Sequence, residues 1–240
     1  MWMPCKYSSG EVMTSILSDK WPHAILFDLD GTLVDTHIDF TLMRNEMLRL
    51  ARENGVLDET MPRMDILTII DTSVERLEEC HKYNEAAALR PEAFEILKEI
   101  EMRHAITAIE VPGARNLLKS LRTAGILTGI VTRNCRAASL LSMEVVGIEV
   151  DVMVTREDTN RHKPLPDPVF IALDGLNCRP EQAVMIGDHP MDVQSGKSAG
   201  CYTVGFLRED RHDGFFDTVC PDLIIKSLGE LCFAANNIHS

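Results

Sequence analysis

Four aspartates, a threonine, a lysine and an arginine stand where short apolar runs give way to polar residues. Ala24-Ile25-Leu26-Phe27 stops at Asp28-Leu29-Asp30-Gly31-Thr32, and a later run ends at Thr132, Arg133 and Asn134. Further on come Arg161-His162-Lys163-Pro164, then Gly187-Asp188 with Asp192 beyond it. Oxygen ligands suit a hard divalent cation such as Mg²⁺, which prefers octahedral geometry and keeps several waters. Asp28, the backbone carbonyl of Asp30, and Asp188 can supply the protein's share of those oxygens. Thr132, its neighbouring amides and Lys163 can hold anionic oxygens and the charge that develops on them. Asp192 suits a supporting place, steadying Lys163 or a metal-bound water. In an extended strand Asp30 would share a face with Asp28, but Gly31 permits a turn that swings it away.

For these groups to meet, the apolar runs must be neighbouring strands. Residues 24–27, 126–131, 151–155, 183–186, 202–206 and 223–225 read as buried strands. Helical patterns lie between them. Pro112 opens one, with Ala114, Leu117, Leu118 and Leu121 on one face and Gly125 as the stop. Residues 135–146 form another, ended by Gly147; a third begins near Pro166, and a fourth runs from about Pro190 to Ala199. This alternation predicts an α/β fold, a doubly wound parallel sheet covered on both faces, with ligands bound beyond the carboxyl ends of its strands.

Residues 37–111 break the alternation and read as helices only. Phe40, Met43, Met47 and Leu50 recur at helical spacing, as do Ala93, Leu97, Ile100 and His104, with Pro91 near a helix start. The reading is a helical subdomain at 37–111 inserted into a core formed by 21–36 and 112–240, with a polar leader at 1–20. Asp35 and Thr36 are expected to cap the first inserted helix, and His37, His162 and His189 to be solvated loop residues.

Composition narrows the partners. A formal net charge of −13 over 240 residues repels nucleic acid and anionic lipid, and no apolar run approaches the roughly 20 residues of a membrane span. Seven cysteines without metal-ligand spacing read as reduced thiols in a cytoplasmic protein.

The four polar segments, in this order, resemble the four motifs of the haloacid dehalogenase (HAD) superfamily. Asp-Leu-Asp-Gly-Thr-Leu-Val at residues 28–34 is similar to the first, Thr132 at a strand end to the second, Lys163 before Pro164 to the third, and Gly-Asp-x-x-x-Asp at residues 187–192 to the fourth. Each alone is weak, and it is the set that carries the resemblance. It spans about residues 23–226, and the helical stretch sits where the family's type-1 cap sits, between the first and second motifs.

The resemblance implies a Mg²⁺-dependent phosphatase acting on a small phosphorylated metabolite, with Asp28 as nucleophile and metal ligand. Asp30 would be the acid–base group and would ligate the metal through its carbonyl, and Asp188 would be a further ligand. Thr132 and Lys163 would bind phosphate, and Arg133, at a position where the family varies, would touch substrate or form a surface ion pair. A phosphomutase of the beta-phosphoglucomutase kind shares this core. A non-enzymatic phosphate-binding protein would be expected to have lost the carboxylates, and a dehalogenase would need neither Asp30 nor magnesium; here all the carboxylates are present.

Overall fold

A computed structural model describes residues 22–231, so the polar leader expected at residues 1–20 lies outside the described residues. The described chain divides into two compact units, one formed by residues 22–36 and 107–231, the other by His37–Ile106.

The first unit is the α/β layer. Its strands are β1 (Ala24–Phe27), β2 (Val34–Asp35), β3 (Ile109–Glu110), β4 (Leu127–Val131), β5 (Val152–Val154), β6 (Ala183–Gly187), β7 (Tyr202–Phe206) and β8 (Leu223–Ile225). Six form one sheet in the order β5-β4-β1-β6-β7-β8, every pair parallel. The chain leaves β1 for β4 and β5 on one side, then returns to β6 on the other. Strand order therefore reverses beside β1, the point at which open α/β sheets bind their ligands. Phe27 sits level with both Ile130 and Ile186, so the carboxyl ends of the three central strands open at one height.

The period-two alternation of a strand explains how the sheet is covered. Ile25, Phe27, Ile130, Val184 and Ile186 join one buried cluster with Leu117, Leu118 and Leu121 of the helix Ala114–Thr123. Ala24, Leu26, Val131 and Met185 join another with Val169, Ala172 and Leu173 of the helix Asp167–Gly175. The helix Arg136–Val146 stops at Gly147, whose φ of 74° only glycine adopts readily. The helix Pro190–Ala199 carries Asp192 in its first turn.

The second unit holds three helices, α1 (Phe40–Glu53), α2 (Ile66–Glu79) and α3 (Tyr83–Ala105). Met43, Met47, Leu50, Leu67, Ile70, Leu77, Leu97 and Ile100 form its apolar core. Asp39 and Asp65 cap α1 and α2 by accepting main-chain N–H bonds from Leu42 and from Leu67 and Thr68. No helix among the described residues is long and apolar enough to cross a membrane.

Several expectations need correcting. The helical unit ends at Ile106 rather than Val111, because β3 pairs antiparallel with β2 and the Val111 N–H donates to Leu33 O, which ties residues 107–111 to the α/β unit. Pro91 lies inside α3, which begins at Tyr83. A helix-interior proline costs about 3 kcal/mol, and α3 offsets this by burying Ala86 and Leu89 before the proline and Ala93, Leu97 and Ile100 after it. Phe40 is 59 % exposed and off the buried stripe of α1. Asp35 and Thr36 do not cap α1; Asp39 does.

Candidate active site

The site is built where β1 stops. The Asp28 N–H still donates to Ile186 O at 2.8 Å, so sheet pairing reaches Asp28 before the chain turns. Leu29 O then accepts from the amides of Leu33 and Val34, and Gly31 N–H donates to Val34 O. Gly31 has φ of 89°, and a Cβ there would lie 2.4 Å from Asp188 Oδ2. Glycine is needed on both counts, for the left-handed backbone and for the close approach of the Asp188 carboxylate. Gly187 serves a similar purpose, since a Cβ there would lie 2.2 Å from Asp192 Oδ2.

Lys163 joins the segments. It is 4 % exposed, and its Nζ donates at 2.7 Å to both Asp28 Oδ1 and Asp192 Oδ1. Lys163 precedes a cis peptide bond to Pro164. The other Asp192 oxygen accepts from the His189 N–H at 3.0 Å, so both oxygens of Asp192 are committed to holding Lys163 and the start of its helix. His189 itself is exposed, as expected of a histidine flanking the motif, and its Nδ1 accepts the Met191 N–H at the start of that helix. Partial desolvation of the ring holds its imidazole below the ordinary range.

The Asp30 carboxyl points elsewhere. Its Oδ1 accepts from the Thr36 hydroxyl at 2.7 Å, and its Oδ2 from Asn134 Nδ2 at 3.0 Å. Thr132, buried at the end of β4, accepts the Asn134 N–H at its hydroxyl. The Arg133 guanidinium lies 2.8 Å from the Met191 sulfur, and its main-chain carbonyl accepts from Arg156. Arg208, in the loop after β7, donates to Gly31 O and to Asp35 Oδ2, bracing the turn that carries the first two aspartates.

The electrostatics are dominated by crowded carboxylates. Burial raises Asp28 above the usual carboxylate range, with Asp192 adding to the rise and Lys163 opposing it. Burial, then Asp28 and Asp192, push Asp188 up to about 8. Burial pulls the Lys163 ammonium down, but Asp192 and Asp28 outweigh it and the net shift is upward. One carboxylate oxygen from each of Asp28, Asp188 and Asp192 falls within a span of 4.8 Å. Three carboxylates so close, with one lysine among them, make an oxygen-donor set that fits a hard divalent cation. Since both Asp192 oxygens are already engaged, Asp28 and Asp188 are the members left to ligate it.

The structure thus brings together Asp28, Lys163, Asp188 and Asp192, and sets Asp30 and Thr132 beside them through Asn134. Sequence reasoning missed Thr36, Asn134 and Arg208. Only Asn134 gave a signal, as the third residue of Thr132-Arg133-Asn134 after a buried strand.

The family model for haloacid dehalogenase-like hydrolase matches residues 25–206. A pyrophosphatase PpaX from Bacillus pumilus is 30% identical over 226 residues, covering 90% of this chain and 97% of the relative. Among solved structures, a HAD phosphatase from Thermococcus onnurineus aligns with a TM-score of 0.56 at 25% identity, over 87% of this chain and 95% of that one. A beta-phosphoglucomutase from Clostridium difficile aligns with a TM-score of 0.57 at 19% identity, over 90% and 97%, a likeness of fold.

Proposed function

The chain belongs to the haloacid dehalogenase-like hydrolases, and from that premise we propose that it is a Mg²⁺-dependent phosphatase that transfers the phosphoryl group of a small phosphomonoester to Asp28 and then to water. The observation that carries this reading is the placement of Asp28, bonded to Lys163 at 2.7 Å and sharing a 4.8 Å carboxylate cluster with Asp188, with Asp30 on the next turn.

An Asp28 carboxylate oxygen attacks phosphorus, and the bond to the ester oxygen breaks as the new P–O bond forms. Asp30 gives its proton to the departing oxygen, so an alcohol leaves and an aspartyl-phosphate remains. Water then attacks the same phosphorus and surrenders a proton to Asp30; the Asp28 carboxylate leaves, and both residues return to their starting states. Lys163 and the Thr132 hydroxyl hold the phosphoryl oxygens, Asp192 keeps Lys163 in place, and Asp28, the Asp30 carbonyl and Asp188 are the groups that would hold the metal. When bound, Mg²⁺ offsets the repulsion between carboxylate and phosphate and fixes the in-line approach.

The Bacillus pumilus relative is described as a pyrophosphatase, which favours inorganic pyrophosphate as a second candidate substrate for the same chemistry. The free thiols of Cys80, Cys135, Cys178, Cys201 and Cys220 suit a cytoplasmic setting. A panel of sugar phosphates, phosphoglycolate-like acids, nucleoside monophosphates and pyrophosphate, run with added Mg²⁺ and again with EDTA, tests the proposal. Phosphate release that stops in EDTA and returns with Mg²⁺ is the expected result. Release at full rate in EDTA, or none from any member of the panel, would overturn it.

A further inference from the structure

Asn134 is 6 % exposed and belongs to none of the steps above, yet its side chain faces the acid–base carboxyl. Its amide orientation is fixed by chemistry. The Cys135 N–H, which can only donate, meets Asn134 Oδ1 at 2.7 Å. The amide oxygen is therefore committed to the main chain, and Nδ2 is turned toward Asp30 Oδ2 at 3.0 Å. The Asn134 main-chain N–H is tied in turn to the Thr132 hydroxyl at 3.1 Å. An amide Nδ2 has hydrogens to give and no lone pair to accept with, so the Asp30 oxygen it faces stays an acceptor. The other oxygen faces the Thr36 hydroxyl at 2.7 Å, a group that both donates and accepts.

We propose that Asn134 is a positioning residue that fixes the Asp30 carboxyl so that Oδ1 alone exchanges the proton with substrate. This rests on the acid–base reading of Asp30 given above. In the first half-reaction the proton moves from Oδ1 to the ester oxygen as the P–O bond breaks, and Thr36 then donates to the bare Oδ1. In the second, the attacking water returns a proton to Oδ1, and Thr36 becomes the acceptor. Asn134 takes no proton in either half. It holds Oδ2 and thereby the plane of the carboxyl group.

The test is Asn134→Asp, which keeps the size and still accepts the Cys135 N–H but has no hydrogen for Asp30. It is read beside the neutral Asn134→Ser, whose short hydroxyl can cap Cys135 without reaching Asp30; this pairing separates lost orientation from repulsion of substrate, and covers failure of either variant to fold. Both should lower kcat for an alkyl phosphate by about 10²-fold, the cost of a misplaced reacting group. KM and Mg²⁺ affinity should change little, and the first-turnover release of nitrophenol from p-nitrophenyl phosphate should stay near the parent rate, because that leaving group barely needs a proton. Equal loss with both substrates, or no loss with either, would overturn the assignment. Asp30→Asn measured in parallel separates the two levels. If it too slows both substrates equally, the acid–base reading falls and the proposal with it; if it is selective and the Asn134 variants are not, the proposal alone falls.

Discussion

The α/β unit and the helical unit bury different things. Inside the α/β unit lie Lys163, Asp192, Asn134, Thr132 and Thr36, and Lys163 and Asn134 are bonded across long stretches of chain. Lys163 and Asp28 are 135 residues apart, and Asn134 and Asp30 are 104 apart. Inside the helical unit the buried polar residues are Ser73, whose hydroxyl donates to Ile69 O of its own helix, and Glu101. Its ion pairs, among them Arg76–Asp58, Arg90–Asp71 and Arg49 with Glu46 and Glu53, are partly exposed. Buried charge is costly to hold and adds little net stability, so the α/β unit carries an expense that packing alone does not require. The helical unit carries almost none and is stabilised by apolar burial. Substitutions in the two units should accordingly fail in different ways.

The largest separation should come from Asp28→Asn. The change keeps shape and removes the attacking charge, so steady-state turnover should drop by about 10⁴-fold or more, as losses of a nucleophile commonly do. The urea midpoint should move little, because the lost carboxylate was one that burial disfavours. A variant that unfolds without having lost its chemistry would erase the contrast between the units.

Leu97→Ala is the converse. Leu97 is fully buried in the helical core, and deleting such a side chain costs about 2–5 kcal/mol. Urea unfolding should show that loss while Mg²⁺ affinity of the folded protein, measured by calorimetry, holds. Weakened metal binding in folded Leu97→Ala would blur the comparison.

The smallest effect is expected at Arg76. It pairs with Asp58 and donates to Val56 O, with a third of its side chain exposed. Arg76→Ala should lower stability by about 1 kcal/mol or less. A loss as large as that of Leu97→Ala would mean that the helical unit also leans on its charges.

The same contrast explains what could be read in the sequence. Strands such as 24–27 announce themselves because burial on both faces demands an unbroken apolar run, and the loops that follow them were legible because the sheet fixes where they end. Hence Asp28, Lys163, Asp188 and Asp192 could be grouped before any coordinates. Thr36 and Asn134 could not, because their partner is Asp30 and nothing local marks that pairing; Thr36 even looked like a helix cap. Phe40 fits a helical stripe by spacing yet lies exposed, since spacing alone does not tell where the stripe ends. The pairing of β2 with β3 joins two-residue strands, too short for any period to show.

The most direct test of the central claim is chemical capture of the intermediate. Enzyme turning over p-nitrophenyl phosphate with Mg²⁺ would be quenched in acid and treated with borohydride, which reduces an acyl phosphate to an alcohol. The account predicts that peptide mapping finds Asp28 converted to homoserine, in a yield that follows the fraction of enzyme phosphorylated and that vanishes without substrate. An unmodified Asp28 in Asp30→Asn mixed with p-nitrophenyl phosphate and Mg²⁺, where the phosphoenzyme should accumulate, or conversion at another carboxylate, would contradict it.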